Sequence, residues 1–308
     1  MHRPSVLVNG MAALVGAVVI GLSLVSCAPE EPAASPTGEP TAEPSASASL
    51  NAELMDRRWT VLYVGIDLNE WREGEGQPSN ADALMLVSLS ADQSELTLVS
   101  LPRDTVDIPL EDGSTYERKI NGLYLDQGID ALVGAMEALY GVEIDGHLLL
   151  DMDDFAALVE AVDGVEVSPE EPLRDPIVDL DLEPGPQMLD ASQTLGYVRT
   201  RVDQDYGRMG RQQEVIVELV RRLVDPETEV DLEALIDGLD SLETDLPLDE
   251  LPTLIELARR AADADVTNRL IEPPLITFEG DRGDGRGYIL EPDVEAIREE
   301  VQGLIGEE

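Results

Sequence analysis

The sequence predicts an α/β fold: a single domain in which a mixed central β-sheet has helices on both faces. From about residue 54 onward, short apolar β-rich runs alternate with segments of helical spacing, which is the pattern of a three-layer α-β-α domain. The 308-residue chain is 43% hydrophobic, enough to bury a core of this size. We therefore expect one domain over residues 54–308, preceded by a lipoprotein signal and a flexible tether.

Three strands are predicted near the start of this domain. Residues 58–66 (RWTVLYVGI) form a short apolar run that ends at a Gly–Asp boundary, as a buried strand would. Residues 83–89 and 95–101 form a second pair of strands. The intervening segment, SADQS, has the length and residue types of a hairpin turn, so these two strands are expected to be joined by it.

The remaining elements follow from apolar periodicity and turn residues. Gly141 is expected to end one helix, and Asp153 or Asp154 to cap the next one. In order, the predicted elements are a helix at 131–140, a strand at 146–150, a helix to 162, a brief strand at 164–167, loops to about 190, helices at 190–198 and 211–224, acidic helical segments within 230–263, strands at 275–278 and 288–290, and a final helix from about 292.

Residues 1–26 have the charge-then-apolar pattern of an export signal. They contain no Asp or Glu, carry His2 and Arg3 near the start, and continue into the run AALVGAVVIGLSLVS. This run ends at Cys27, the only cysteine, which has a small residue before it and Leu at the third preceding position, as in a bacterial lipobox. We expect cleavage before Cys27 and lipidation of its thiol. An uncleaved anchor is the alternative, because residues 4–26 are long enough to span a bilayer.

Residues 27–53 are predicted to be the lipidated cysteine followed by a tether rich in Pro, Ser and Ala, with little to pack. Either form of attachment places the domain on the extracytoplasmic face of a bacterial cell membrane. Because the chain has no second cysteine, the exported domain has no disulfide and must be stabilised by its core.

The charge balance excludes one class of partner. The chain has 65 acidic residues against 20 Lys and Arg, a formal net charge of −45. Nucleic-acid binding needs a cationic face, so a nucleic-acid partner is not expected. The same charge disfavours electrostatic adhesion to anionic lipid. In so acidic a chain, the positions of the few cations are informative.

Several of these cations fall within residues 196–213, GYVRTRVDQDYGRMGRQQ. Arg199 and Arg201 are two apart and would point the same way in extended backbone, whereas Arg208 and Arg211 are three apart and would share a helix face. Guanidinium groups grip phosphate or carboxylate in bidentate fashion, so the segment is a candidate anion site. Ordinary ion pairing of each arginine with a carboxylate is the alternative.

Three smaller clusters are also candidates. Arg103 and Asp104 directly follow a strand, where open α/β sheets bind ligands, although a turn salt bridge would have the same sequence. Lys119 is the only lysine, which indicates either a point-charge role or chance retention. Asp67 and Asp82 lie at a strand end and just before a strand start. They could hold Mg²⁺ together with substrate oxygens, but two acids among 65 are a weak signal.

Other chemistries have little support in the sequence. The only cysteine lies in the signal region, so a catalytic cysteine is not expected. His2 and His147 cannot form a zinc site with neighbouring cysteines, and His147 is expected to be a packed strand residue. No P-loop, dinucleotide-binding fingerprint or nucleophile elbow occurs.

The ordered motifs resemble those of the LytR–CpsA–Psr family, membrane-attached extracytoplasmic enzymes of bacterial envelopes. The resemblance covers about residues 60–225 and is specific because the motifs occur together and in order. They are GID at 65–67, AD at 81–82, SLPRDT at 100–105, KIN at 119–121, VDGVEV at 162–167 and YVRTR…DYGRMGRQQ at 197–213.

This resemblance implies a transferase that moves a phosphate-linked glycopolymer from a polyprenyl-pyrophosphate carrier to peptidoglycan, with Mg²⁺ as cofactor and with pyrophosphate hydrolysis as a side activity. It implies that Asp67 and Asp82 hold the metal and that Asp104 and Asn121 support the site. The implied pyrophosphate-binding residues are Arg103, Lys119, Arg199, Arg201, Arg208, Arg211 and Gln212. The implied apolar prenyl pocket has candidates, each of which could equally be a core residue, at Leu123, Leu132, Met136, Leu148, Leu150, Phe155, Leu158, Leu195, Ile216 and Leu219.

One position departs from the family pattern. The family usually reads Arg-x-Asp where this chain has Asn80, so one expected cation is absent. Loss of a single donor of this kind typically costs about 3–4 kcal/mol of transition-state stabilisation, unless Arg72 in the preceding loop replaces it. Asn80 therefore supports an alternative, a non-catalytic envelope lipoprotein that binds polyprenyl phosphate. A solute-binding or scaffold lipoprotein is a further alternative, but it leaves the ordered motifs unexplained.

Overall fold

The computed structural model describes residues 50–67, 80–239 and 242–306, and it confirms a single α/β domain with a mixed central sheet. The strands are β1 (Trp59–Ile66), β2 (Ala81–Leu89), β3 (Glu95–Ser100), β4 (Ile108–Pro109), β5 (Thr115–Tyr116), β6 (Gly146–Leu150), β7 (Val165–Val167), β8 (Leu173–Asp175), β9 (Leu180–Leu182), β10 (Gln187–Leu189), β11 (Glu243–Thr244), β12 (Asp265–Leu270), β13 (Ile276–Asp281) and β14 (Tyr288–Pro292).

The helices lie mainly between these strands. They are α1 (Ala52–Met55), α2 (Leu123–Gln127), α3 (Ile129–Tyr140), α4 (Met152–Ala161), α5 (Ala191–Arg199), α6 (Gln204–Val224), α7 (Leu232–Asp237), α8 (Leu251–Asp263) and α9 (Val294–Ile305), with 3₁₀ turns at Ile120–Gly122 and Leu248–Glu250. As predicted, α3 ends at Gly141, which adopts the left-handed conformation typical of a helix C-terminus.

Within the described residues, the central sheet has the strand order β11-β6-β1-β2-β3-β12. The pairs β1–β6 and β3–β12 are parallel, and the other neighbours in this sheet are antiparallel. The predicted hairpin is confirmed as β2–β3. The β3–β12 pairing was not predicted, because β12 (DVTNRL) has few apolar residues and none of its residues is fully buried.

Helices cover both faces of this sheet, as predicted. On one face, Leu62 and Leu86 pack into a core cluster with α3 and α9, which contribute Leu132 and Val301. On the other face, Met85 packs into a cluster with residues of α6 and α8. A third cluster joins α4, α5 and α6 around the end of β6. The alternation of side chains along each strand divides the sheet residues between these two cores.

Two local predictions were wrong. The cap of α4 is Asp151, whose carboxylate accepts from the backbone N–H of Asp154 at 2.8 Å, so Asp153 and Asp154 lie inside the helix. Helix α6 begins at Gln204 rather than at residue 211. Two glycines lower the helix propensity of its first turns, and tertiary contacts of the buried Arg208 side chain override that weakness.

The predicted signal (1–26) and lipidated Cys27 lie outside the described residues, as does the tether (27–53) except for its last four positions. Those four positions include the start of α1. Within the described ranges, we find no helix that has both the length and the apolar character needed to cross a bilayer.

The backbone after α4 provides a test of this packing. Gly164 has φ +92°, and an added Cβ would lie 2.4 Å from the carbonyl oxygen of Leu189. The substitution Gly164→Ala would strain the backbone and separate β7 from β10. We expect it to lower the free energy of unfolding by about 2 kcal/mol, as measured by chemical denaturation.

Gly303→Ala is the matched control. Gly303 lies within α9, and an added Cβ would meet no atom within 4 Å. Alanine there should raise the free energy of unfolding by about 0.5–1 kcal/mol through helix propensity alone. Equal stability of the two variants would contradict the strain assigned to Gly164.

Candidate active site

A cavity of about 300 Å³ lies between the sheet and helices α4, α5 and α6. Its lining comes from the ends of β1, β2 and β6 and from the facing sides of the three helices. Arginine and aspartate side chains line one end, and apolar side chains line most of the remainder. A pocket divided in this way fits an amphiphilic ligand that has an anionic head.

The charged end is built around a β-bulge. Gly65 pairs with Ala83, but the next residue of β1 pairs with Ala81, which makes Asp82 the extra residue of β2. A bulge re-aims the side chain that it carries, and it is a frequent feature beside active sites. Asp82 and Asp67, which directly follows β1, both line the cavity.

Arg103 forms an ion pair with Asp82 from the loop that follows β3. Burial opposes the charge of this guanidinium, but the carboxylate of Asp82, together with those of Asp104 and Asp205, outweighs burial, so the pKa of Arg103 is raised above its ordinary value. Among the described residues, the buried Oδ1 atom of Asp82 has no hydrogen-bond partner. Asp82 therefore retains an acceptor for a further ligand.

Arg208 and Arg201 share the carboxylate of Asp205. The Arg208 side chain is only 3% exposed; its Nε and Nη2 atoms donate to Asp205 at 3.0 and 3.1 Å. Its Nη1 atom donates to the backbone carbonyl of Asp82 at 2.9 Å. The Nε atom of Arg201 lies 3.5 Å from Asp205 Oδ1. Arg208 thus fixes α6 against the bulge of β2.

The arginines are close enough to affect one another. Burial lowers the pKa of Arg201, and the neighbouring guanidiniums of Arg103 and Arg208 lower it further. Arginine side chains carry a positive charge at neutral pH, because the ordinary pKa of a guanidinium lies far above 7. Crowding of like charges costs free energy that a bound anion would recover, so this end of the cavity is suited to an anion.

Arg199 and Gln212 complete the predicted residues that line the cavity. Arg199 is the last residue of α5 and forms no ion pair with a carboxylate among the described residues. Gln212 donates from Nε2 to the carbonyl of Val198 at 3.2 Å. The structure therefore brings these predicted pyrophosphate residues to one cavity: Arg103, Arg199, Arg201, Arg208 and Gln212.

Arg211 does not line the cavity, although the sequence placed it with the anion-binding residues. Its side chain is 8% exposed, and its donors are already engaged. Nε donates to the carbonyl of Tyr197 at 2.8 Å, Nη2 to the carbonyl of Thr200 at 2.6 Å, and Nη1 to Asp203 at 2.5 Å. Arg211 therefore holds in place the segment that carries Arg199 and Arg201.

Lys119 also lies outside the cavity lining. Its Nζ atom is 2.8 Å from Asp104 Oδ1, one residue beyond Arg103. The backbone N–H of Asn121 donates to the carbonyl of Arg103 at 3.2 Å. Lys119 and Asn121 thus contact the loop that carries Arg103, Lys119 through the Asp104 side chain and Asn121 through the backbone.

The apolar part of the cavity contains four of the predicted prenyl-pocket residues, Leu150, Phe155, Leu195 and Ile216. The other candidates, for which core packing was the open alternative, do not line the cavity. Leu123, Leu132 and Met136 pack in the core on the opposite face of the sheet, Leu158 and Leu219 are buried in the core of α4–α6, and Leu148 is absent from the lining. Sequence periodicity identifies apolar faces but does not say which face borders a cavity.

The carboxylates of Asp67 and Asp82 fit a magnesium ion. Mg²⁺ is usually bound by one or two carboxylates together with phosphate oxygens of a substrate. Both side chains line the end of the cavity where an anion would bind, and the buried Asp82 Oδ1 is an acceptor that a cation would satisfy. Within the described ranges, no three Asp, Glu, His or Cys side chains come together as a metal cage.

Asn80, the position that departs from the family pattern, lies at the entry to β2. Its carbonyl accepts from the backbone N–H of Asp67 at 3.0 Å, so it contributes to the bulge through its backbone. Arg72, the residue suggested as a replacement cation, lies outside the described residues.

Several residues at this site were missed by sequence reasoning. One is Asp205, which is the partner of two arginines. Tyr63 and Val178 line the apolar part of the cavity. Tyr63 lies between the buried Leu62 and Val64 in β1, so the alternation of side chains along a strand could have assigned it to the opposite face. Val178 lies in a loop region, and the sequence does not show the path of that loop.

Comparison with known proteins identifies the family to which the chain belongs. The model of the LytR_cpsA_psr family matches residues 28–298, a wider range than the motifs cover. The probable cell wall biosynthesis protein LcpB of Corynebacterium glutamicum is 35% identical over 150 residues, which cover 48% of this chain and 35% of that protein. The polyisoprenyl-teichoic acid–peptidoglycan teichoic acid transferase TagU of Enterococcus faecalis is 29% identical over 197 residues, covering 62% of this chain and 63% of that protein.

Among solved structures, a LytR-CPS2A-psr family protein, YwtF (TagT), with bound octaprenyl pyrophosphate lipid has the same fold. It superposes with a TM-score of 0.59 at 20% identity and covers 82% of this chain and 92% of that one. The chain spans only about half or less of the length of three curated relatives: 45%, 35% and 51%.

The different environments of two arginines give a prediction. Arg211→Ala would leave two backbone carbonyls and Asp203 without their donor, so we expect it to lower the free energy of unfolding by about 3 kcal/mol or more. Arg199→Ala removes an exposed side chain and should change it by less than about 0.5 kcal/mol. Thermal or chemical unfolding of both variants measures the difference, and an Arg211→Ala variant as stable as Arg199→Ala would contradict the structural role.

Proposed function

Because the chain belongs to the LytR_cpsA_psr family, we propose that it is an envelope phosphotransferase that moves a phosphate-linked glycopolymer from a polyprenyl-pyrophosphate carrier to peptidoglycan. The observation that carries the proposal is the division of the cavity into an arginine-lined end and an apolar remainder. A polyprenyl pyrophosphate has the same division, with an anionic head on a hydrocarbon chain.

The arginines would bind the pyrophosphate directly. Arg103 and Arg201 offer guanidinium donors at the charged end, where partial burial strengthens charge-assisted hydrogen bonds. Arg208, whose Nε, Nη1 and Nη2 atoms already donate to the protein, adds positive charge beside them. Arg199, without a carboxylate partner among the described residues, can reach an anion without breaking an ion pair. Similar proteins support this choice of ligand: the YwtF (TagT) structure holds a bound octaprenyl pyrophosphate lipid, and TagU of Enterococcus faecalis is a teichoic acid transferase.

The proposed reaction is attack by a sugar hydroxyl of peptidoglycan on the sugar-linked phosphorus. A new P–O bond forms to the acceptor, the P–O bond to the bridging oxygen breaks, and polyprenyl phosphate leaves with the bridging oxygen. In such transfers the protein contributes mainly positioning and charge stabilisation. The arginines would stabilise the negative charge that develops on the leaving phosphate, and Asp104, next to Arg103, would orient the attacking hydroxyl, whose proton passes to solvent.

Mg²⁺, held by Asp67 and Asp82, would neutralise charge on the pyrophosphate oxygens. The prenyl chain would occupy the apolar part of the cavity, against Leu150, Phe155 and Ile216. Burial of hydrocarbon there would stabilise the complex by about 25 cal/mol for each Å² of apolar surface removed from water.

The proposed location is the outer face of the cell membrane, with the domain attached through lipidated Cys27 and the tether that follows. A membrane-attached domain would meet a membrane-embedded carrier without a diffusing intermediate. Metabolic labelling with a fatty acid, compared between the wild type and Cys27→Ala, distinguishes lipidation from an uncleaved anchor: only a lipidated protein loses the label.

A second candidate function is supported by Asn80 alone. A protein that lacks one cation of the family pattern could bind the polyprenyl carrier without transferring its glycan. Mass spectrometry of co-purified lipid, followed by a transfer assay, separates the two functions: bound polyprenyl phosphate without turnover would favour the binding protein.

Substitution of the cavity arginines tests the catalytic proposal. We expect Arg103→Ala and Arg199→Ala to lower kcat for a polyprenyl-pyrophosphate substrate by about a hundredfold or more, because each removes a donor to the transition state. Both variants should remain folded by circular dichroism. Arg118→Ala, which removes a 70%-exposed arginine from an ion pair with Asp126, is the control and should be as active as the wild type. Unchanged turnover in both cavity variants would rule out the proposal.

Metal removal tests the role of the two aspartates. Chelation by EDTA should abolish turnover, and added Mg²⁺ should restore it. Asp67→Asn and Asp82→Asn should raise the Mg²⁺ concentration needed for half-maximal activity by about tenfold or more, since each loses a charged ligand. Asp130→Asn, at an exposed position at the start of α3, should not change it. Full activity in EDTA would show that no metal is required.

A further inference from the structure

We infer that Tyr206, Glu279 and Tyr288 form a saccharide subsite on the outer rim of the charged end of the cavity, where an uncharged sugar ring binds beside Arg103. The inference rests on the proposed function, because it supplies a place for glycan next to the pyrophosphate.

The hairpin β13–β14 is joined directly to the loop that carries Arg103. The backbone N–H of Leu290 donates to the carbonyl of Asp104 at 3.1 Å, and the carbonyl of Leu290 accepts from Val106 N–H at 3.0 Å. These bonds accompany a parallel bridge between the hairpin and the loop. The bridge joins Leu290 to Thr105. Tyr288 lies two residues before Leu290, and Arg103 lies two residues before Thr105, so the parallel register places Tyr288 beside Arg103.

Helix α6 closes the other side of the subsite. Tyr206 follows Asp205, the partner of the cavity arginines, and its hydroxyl donates to Glu279 on β13. Partial burial and then Glu279 raise the pKa of the Tyr288 phenol, and the nearby carboxylates of Asp104 and Asp205 raise it further. Tyr288 therefore lies among acidic groups that border the charged end.

The chemistry of these groups suits a sugar. The side chain of Tyr288 is 54% exposed in a chain whose residues are only 4% aromatic. An exposed aromatic ring offers an apolar face for the C–H face of a pyranose and a hydroxyl at its edge. The carboxylate of Glu279 accepts hydrogen bonds from sugar hydroxyls, and the acidic surroundings repel anionic groups. We therefore assign an uncharged ring.

The hairpin holds this aromatic side chain on a rigid base. Arg282 makes two hydrogen bonds with Glu291, at 2.8 and 2.6 Å, and lies 3.5 Å above the ring centroid of Phe278. Arg286 donates to Asp107 at 3.1 Å and so ties the hairpin tip to the segment that follows the Arg103 loop. A surface that is already ordered loses little entropy when it binds a ligand.

The ring could belong to either partner of the reaction. A sugar at Tyr288 would have its hydroxyls near Asp104 and Arg103, as the acceptor requires, but the first sugar of the donor would lie equally close to the pyrophosphate. The chemistry of the subsite is the same in both cases, so the experiment must separate the two sources.

The experiment measures dissociation constants of the detergent-purified full chain for three probes: a neutral N-acetylglucosamine tetramer, a polyprenyl-pyrophosphate-linked disaccharide, and sugar-free geranylgeranyl pyrophosphate. In Tyr288→Ala, we expect binding of a sugar-bearing probe to weaken about tenfold, with sugar-free pyrophosphate affected less than about twofold. Weakening of the tetramer identifies the acceptor as the source, and weakening of the lipid-linked disaccharide identifies the donor. Glu279→Gln should weaken the same probe, and Tyr288→Phe should retain most of its binding.

Leu125→Ala is the matched control, because it removes an apolar side chain that is 51% exposed on helix α2 and does not line the cavity. It should bind all three probes as the wild type does. Equal weakening of all three probes in Tyr288→Ala, no weakening of either sugar, or failure of the wild type to bind any sugar would overturn the subsite. If the wild type fails to bind geranylgeranyl pyrophosphate while sugar binding depends on Tyr288, the proposed function is wrong and the subsite stands.

Discussion

Burial of two arginines of α6 is the constraint on which the site depends. Arg208 and Arg211 are almost fully inside the protein, and a guanidinium is tolerated there only when its charge and donors are matched. Asp205 and the carbonyl of Asp82 match Arg208, and the loop before α6 matches Arg211. The same bonds fix α6 against the bulge and shape the loop that carries Arg201. The packing that buries two cations therefore also aims the others into the cavity.

Strong periodicity made much of the fold predictable. Strands β1 to β3 and helices α3 and α9 lie close to their expected ranges, because their apolar spacing has few competing explanations. The bulge at Asp82 was not predictable, because the register shift depends on how β2 pairs with β1 and not on the sequence of β2 alone. The start of α6 was placed late for a similar reason: its first turns are stabilised by distant partners of Arg208 rather than by local propensity.

The sequence predicted which residues belong to the candidate site better than it predicted which of them line the cavity. Motif residues converge on one cavity, yet Arg211 and Lys119 turn away from it to hold backbone and Asp104. The sequence shows where a cationic residue occurs, but it does not show whether that residue binds a ligand or pairs with another part of the protein. The apolar residues illustrate the same limit, because Leu132 and Leu195 have equivalent patterns and lie on opposite faces of the sheet.

The excess of acidic residues affects which anions can reach the cavity. A formal net charge of −45 repels a free anion at long range, so electrostatic steering cannot bring a pyrophosphate to the arginines. Salt screens that repulsion beyond about 8 Å under physiological conditions, and within this distance the local guanidiniums dominate. An apolar tail adds attraction that does not depend on charge. In an acidic protein, a cavity that joins arginines to an apolar wall therefore selects an anion that carries its own hydrocarbon over one that is free in solution.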